Sequence, residues 1–404
     1  MRNEPLPHPA VLAGIGALAL AVGIGVGRFG FTAAAPAMAR DGSLTQAACA
    51  ATVAAHFAGY AVGALSLARL RREHVVPACV AGLAACVALA ALASQSLGPW
   101  WMGADRFLAG VASGVVMVAA STWLFALVGT RWAPVLYGGV GLGVAVVSEM
   151  CCALAARGHG GTDAWTCLAG LAAVLAVPAA GWMLSTRDAT PRPQAAPTPP
   201  DIGRRCLLGV YAVGGFGYVV SATYLPTVVR DGFPDMDPVH LFALFGLAAL
   251  PSCWAWLRVD ALFGTRRAMT ANYLVQAVGT ALPVLSHHPL ALLGSSVLVG
   301  GTFMGVVALG MSAGRRHATP GSNLMAYLTA AYATGQFLGP LAAAAILSRG
   351  GTLDRPLLAA SLSLLAGAAA AGLPREFPSM TSLGMPSLRA LLAPATAGRR
   401  RHRY

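Results

Sequence analysis

The sequence predicts an all-α integral membrane protein of twelve transmembrane helices in two six-helix bundles, and three observations carry that prediction. Hydrophobic residues make up 57% of the 404 residues and charged residues 10%, too little polar material to cover a soluble globule of this length. The apolar residues gather in twelve runs of about the length that a helix needs to cross a bilayer, roughly 20 residues. A proline-rich stretch divides the twelve into two sixes.

The first run, residues 10–37, carries one charge, Arg28. An arginine inside the bilayer costs about 3 kcal/mol or more unless it faces a protein interior or a wet cavity. At about 1.5 Å per residue from Met38, Arg28 lies roughly 15 Å below the helix end. That is too deep for easy snorkelling, so it is expected to face a cavity. Arg2, the apolar stretch and Ala37-Met38-Ala39 imitate a secretory signal with its cleavage site. A signal's apolar core is shorter and would not hold Arg28 ahead of the cleavable position, so this helix is expected to be retained.

The remaining runs are 46–68, 75–95, 101–128, 133–156 and 165–184, then 206–229, 238–258, 268–286, 290–312, 322–347 and 356–373. Charges, prolines or polar clusters separate most of them. The 27 basic residues are all arginine, and they flank helices instead of gathering on one face, which argues against nucleic-acid binding. Connections after even-numbered runs are rich in them, as in Arg69, Arg71 and Arg72, or Arg266 and Arg267. Those after odd runs hold few, such as Arg40, Arg230 and Arg349. This asymmetry places the even-side connections and both termini in the cytoplasm of a bacterial inner membrane. Without lysine the chain has neither a Walker-type phosphate loop nor Schiff-base chemistry.

The organisation that follows is an N-terminal bundle at 1–184, a stiff cytoplasmic linker at 185–205 with five prolines, a C-terminal bundle at 206–373 and a basic cytoplasmic tail at 374–404. Two similar bundles with a path between them is transporter architecture. The tail is expected to be disordered and drawn to anionic lipid. Eight cysteines and nine histidines show neither paired-cysteine spacing nor the i, i+4 histidines of a helical metal site, so no metal and no disulfide framework is expected.

Several local patterns are similar to the major facilitator superfamily over about residues 10–373. Gly63-Ala64-Leu65-Ser66-Leu67-Ala68-Arg69-Leu70-Arg71-Arg72 resembles that family's loop between spans two and three. Leu67 stands where the family usually has aspartate, and Leu70 where it has glycine. Arg106-Phe-Leu-Ala-Gly110-Val-Ala-Ser-Gly114 resembles its fourth span, with glycines that permit close helix contact. Gly27-Arg28-Phe29 with Pro36, Gly59-Tyr60, Gly139 to Gly143, Gly217-Tyr218 with Ala222-Thr223-Tyr224-Leu225-Pro226, and Gly335-Gln336-Phe337-Leu338-Gly339-Pro340 resemble an uncharacterised bacterial branch of it. The resemblance implies a transporter and no particular substrate.

Chemistry then falls to polar residues within the spans. The first half holds Arg28, His56, Asp105, Arg106 and Glu149. Their depths allow Arg28, His56, Arg106 and Glu149 to share one cavity. Asp105 and Arg106 point about 100° apart, so only one is expected to face it, and Arg106 is preferred. An internal salt bridge of Glu149 with Arg28 or Arg106 is the bland alternative. The second half is neutral and aromatic, with Tyr211, Tyr218 and Ser221, Asn272 and Gln276, and the stripe Thr329, Tyr332 and Gln336. Substrate binding is assigned to Arg28, Arg106, Tyr218, Thr223, Tyr332 and Gln336, and proton coupling to Glu149 and His56.

The expected function is secondary active transport, by alternating access, of a small organic solute that carries a negative charge, in symport with protons. The partners are that solute, protons and the bilayer, with no nucleic acid, no cofactor and no enzymatic activity, and the chain acts as a monomer. A drug exporter of the same fold would carry a Gly-Pro pair in the fifth span, where Gly139 to Gly143 holds no proline. A membrane receptor or sensor would add a signalling domain, where only short tails are expected.

Overall fold

The computed structural model describes residues 7–95, 98–189, 198, 200–232, 237–286, 288–317 and 323–373. Most of the proline-rich stretch, and the basic tail from Pro374, lie outside the described residues. Twelve long helices follow one another: α1 (Pro9–Arg40), α2 (Gln46–Ser66), α3 (Val75–Ala93), α4 (Pro99–Val128), α5 (Ala133–Ala156) and α6 (Gly161–Ser185), then α7 (Arg204–Gly232), α8 (Pro238–Phe263), α9 (Thr265–Leu285), α10 (Pro289–Arg316), α11 (Leu324–Leu347) and α12 (Asp354–Gly372). There is no strand among the described residues.

Eleven of the twelve are long and apolar enough to cross a membrane. The exception is α9, whose inner face carries Asn272, Gln276 and Thr280, all fully buried. Those polar groups lower its hydropathy without exposing it, because its neighbours α10 and α12 cover it. Several helices outrun their apolar runs. Thus α10 continues to Arg315 and Arg316, and α4 starts at Pro99, since a helix crossing a bilayer extends its polar ends into the interface.

The helices form one compact unit that ends at Gly372. In the first half α2 packs on α4, and α3 on α4 and α6; in the second, α7 packs on α11 and α12, and α8 on α10. The halves meet along two lines, α2 on α11 and α5 on α8. Glycines bring the backbones together: a Cβ on Gly59 of α2 would lie 2.0 Å from the Phe107 carbonyl oxygen of α4, and one on Gly215 of α7 would lie 2.1 Å from that of Tyr332 on α11. Small-residue contacts of this kind supply packing where lipid removes the hydrophobic drive between helices. Below, the odd end is the one that carries the connections after odd-numbered helices, and the even end is the opposite one.

One local feature departs from a plain α-helix. Residues Ala21–Phe29 of α1 are π-helical, and wide turns of this kind concentrate at functional sites. Gly23, Gly25 and Gly27 fall within it. The backbone of Gly25 lies so close to that of Gly143 on α5 that a Cβ would stand 2.8 Å from the Gly143 Cα.

Candidate functional site

Arg28 sits at the end of the π-helical segment, 7% exposed. Its Nη2 donates to the Tyr218 hydroxyl at 3.0 Å, and the Gln336 amide, turned with its oxygen inward, accepts from both terminal nitrogens. Aromatic rings pack around the guanidinium. Its Cζ lies 4.6 Å from the centroid of Phe29, 4.9 Å from that of Phe57 and 5.4 Å from that of Tyr218. These are distances at which a cation is attracted to a ring face. Among the described residues no carboxylate lies within ion-pair distance of Arg28, and its Nε has no hydrogen-bond partner.

A cavity of about 310 Å³ begins at this guanidinium. His56, Phe57, Tyr218 and Thr223 form its walls, and it runs to Ala39, Leu44 and Thr45, where α1 gives way to α2, and to Pro238 at the start of α8. It therefore reaches the odd end and lies between the two halves. At the even end the halves are closed on each other: the Asn323 amide donates to the Ala68 carbonyl at 3.2 Å, and its Nδ2 to Thr122 Oγ1 at 3.2 Å. Behind Arg28 lies a void of only about 20 Å³, bordered by Tyr60, Tyr211, Thr329 and Tyr332.

The rings behind the site form a stack. Tyr218 lies against Phe303 at 4.3 Å and 11°, and against Tyr332 at 6.1 Å and 20°. The Tyr332 hydroxyl is buried without a partner. Thr329 donates to the Met325 carbonyl of its own helix, and of that polar stripe Gln336 is the residue that hydrogen-bonds to Arg28. His56 is buried on the cavity wall, stacked on Tyr60. Close packing of α4 on α2 holds it there.

Two expected site residues stand elsewhere. Arg106 is 1% exposed and does not line the cavity. Its Nε donates to Asp105 Oδ2 at 2.8 Å, its Nη1 to the Gly27 carbonyl at 3.3 Å, and its Cζ lies 4.3 Å from the Trp165 ring. Adjacency on a helix separates two Cβ directions, but a long arginine folds back onto its neighbour when both are shut inside. Arg106 is thereby a clamp on the π-helical carbonyl beside Arg28. Depth alone would put Glu149 in the cavity, but its side chain is 51% exposed on another face of α5, and its Oε1 lies 2.8 Å from His240 Nδ1. It pairs with neither arginine. Depth along a helix says nothing of which way a side chain turns. Among the described residues the most buried acid is Asp105.

Ser221, Asn272 and Gln276 are likewise away from the cavity. Ser221 donates to Thr280 and Asn272 to the Thr302 carbonyl, which ties second-half helices together. Sequence reading missed Phe57, Phe242 and Phe303, single aromatics in apolar runs with no pattern of their own. It also missed the π-helical turn, for which Gly23-x-Gly25-x-Gly27 was the available signal, a spacing of two where helix packing uses three or four.

Compared with curated proteins, the chain matches none. The family described as uncharacterised MFS-type transporter YbfB matches residues 20–373, from the residue before the π-helical segment to the residue after α12. Twelve long helices, two halves that meet along α2–α11 and α5–α8, a cavity between them and a family match over most of the length lead to one conclusion: the chain belongs to this family and is a multi-pass membrane transporter of the major facilitator fold.

Proposed function

We propose that the protein is a secondary transporter that takes up a small organic anion, a carboxylate in the first instance, at Arg28. The observation that carries this reading is a buried guanidinium at the floor of a cavity of about 310 Å³ with no carboxylate partner among the described residues. Ring faces and neutral hydrogen-bond acceptors offset part of its desolvation. A full negative charge offsets far more, because a buried charge is costly until it is paired. The planar fork of donors suits a carboxylate held by two hydrogen bonds. Tyr218, Gln336 and Thr223 then supply polar contacts, and Phe57 and Phe242 an apolar wall for the organic body.

Transport proceeds by rocking of residues 1–184 against 206–373, with the odd end open and the even end closed in the conformation described above. With the even side in the cytoplasm of the inner membrane, by the arginine asymmetry, this is the outward-open state of a monomer. Proton symport runs through His56, which lines the same cavity, and not through Glu149, which faces away from it.

A thermal-shift screen on the purified protein tests the anion site. Small organic carboxylates are expected to raise the unfolding temperature, a ligand at 100 times its dissociation constant adding about 2.7 kcal/mol of apparent stability. Their primary amides are expected to do nothing. Equal shifts from acid and amide, or shifts from neither, would remove the anion reading.

A further inference from the structure

Where α5 meets α8 at the odd end, three side chains of metal-ligating type converge from the two halves of the chain. Cys152 lies near the end of α5, Asp237 caps the start of α8, and His240 is on its first turn. Cys152 Sγ stands 3.4 Å from His240 Nε2 and 3.4 Å from Asp237 Oδ2, and the three ligand atoms all lie within 4.8 Å of one another. With bonds of about 2.3 Å to sulfur and about 2.0–2.2 Å to nitrogen or oxygen, a sulfur ligand of a tetrahedral zinc ion stands roughly 3.5–3.7 Å from a nitrogen or oxygen ligand. Both contacts made by the sulfur, at 3.4 Å, lie slightly inside that spacing.

The other imidazole nitrogen adds an independent observation. His240 Nδ1 lies 2.8 Å from Glu149 Oε1, so Nδ1–H donates to the carboxylate and the Nε2 lone pair is turned toward Cys152 and Asp237. A carboxylate on the far nitrogen is the usual support of a metal-bound histidine, fixing both tautomer and ring orientation.

We propose that Cys152, Asp237 and His240 form a binding site for a divalent transition metal of the zinc class, with Glu149 positioning His240 and a fourth coordination place left open. One thiolate, one imidazole and one carboxylate favour such an ion over magnesium or calcium, which take oxygen ligands. Binding exchanges the thiol proton, released to solvent, for the metal–sulfur bond. Because Cys152 belongs to the first half and Asp237 and His240 to the second, a bound ion links α5 to α8 at the odd end. The three ligands stand 85 and 3 residues apart in sequence, a spacing that carries no metal signal.

The test uses the full-length purified protein, stripped with a chelator and titrated with Co²⁺ and then Zn²⁺. One equivalent of Co²⁺ is expected to give thiolate-to-metal charge-transfer absorption, which one equivalent of Zn²⁺ removes. Cys152→Ser should abolish that absorption, and Glu149→Gln should weaken Zn²⁺ binding by about 10–100-fold, the usual effect of removing a ligand's carboxylate support. Asp237→Asn, which keeps a capping side chain on α8, should weaken it as well. Wild-type protein without the absorption, absorption that persists in Cys152→Ser, or unchanged Zn²⁺ affinity in Asp237→Asn would each overturn the site. Unfolding temperatures of the metal-free variants matching the wild type ensure that the losses belong to binding.

Discussion

At the scale of single residues, two arginines buried in adjacent helices do different things, and the difference lies in what neutralises them. Arg106 has a carboxylate beside it, a carbonyl and a ring; Arg28 has rings, a hydroxyl and an amide. Breaking a buried ion pair by removing one partner typically costs 3–5 kcal/mol. Asp105→Asn is therefore expected to lower the unfolding temperature sharply, whether or not ligand is present. Arg28 should behave in the opposite way. Arg28→Lys keeps the charge but loses the fork, and Arg28→Ala loses both, so carboxylate affinity in a calorimetric titration should fall partially and then by a further 2 kcal/mol or so. Wild-type affinity in a well-folded Arg28→Ala protein would end the anion site. His56→Gln is expected to lose uptake driven by a pH gradient in proteoliposomes and to retain exchange of the same carboxylate; gradient-driven uptake at the wild-type rate would clear His56 of that role.

Two helical elements carry positions whose substitution has a definite sign. The π-helical turn of α1 leans on α5 backbone to backbone, and Gly25→Ala would place a methyl group 2.8 Å from the Gly143 Cα. Backbone cannot move aside as a side chain can, so the variant is expected to separate α1 from α5, disturb the Arg28 environment and lose both stability and carboxylate binding. Gly14→Ala, with open space around its Cβ, serves as the silent control. At the start of α6 the helix is capped from outside: Asp41, in the turn after α1, accepts from the Gly161 amide at 2.7 Å and from the Ser43 amide at 3.0 Å. Partial burial pushes the Asp41 carboxyl up, but its hydrogen bonds with Ser43 and Gly161 and the nearby Arg40 charge outweigh this and hold it below the ordinary value. A depressed carboxylate stabilises the fold above its unfolded-state pKa, and that contribution is lost as pH falls through the folded value. Asp41→Asn is expected to unfold at a lower temperature at neutral pH and to match the wild type in strong acid, as the charge effect at a helix N-terminus requires.

For the whole molecule, the asymmetry between the two ends is the informative property. The cavity reaches the odd end, whereas contacts of Asn323 with Ala68 and Thr122 seal the even end. A disulfide formed in Ala68→Cys with Asn323→Cys is expected to hold the even end shut. Transport should stop while carboxylate binding persists, and reduction should restore turnover. Full transport with the disulfide formed would show that the halves do not separate there. Cysteine accessibility in intact cells is expected to label positions near Thr45 from outside and positions near Arg187 only after permeabilisation; the reverse pattern would invert the topology.

Much of this was legible in the sequence because a bilayer imposes one-dimensional rules. Helix number and length follow from apolar runs that must cross a hydrocarbon layer, and the anomaly of Arg28 is visible because charge within such a run is costly. The partners proposed for it in the other half, Tyr218 and Gln336, were also readable as polar residues in an apolar setting. What the sequence could not determine is azimuth, the direction in which each side chain leaves its helix. Glu149 and Arg106 have suitable depth, yet packing turns one toward His240 and folds the other onto its own neighbour. The π-helical turn adds to this, since a wider turn rotates everything beyond it relative to a regular helix. Tertiary structure alone brought Cys152 to Asp237 and His240, because contact between α5 and α8 depends on how two halves dock, and no periodicity within either half encodes that.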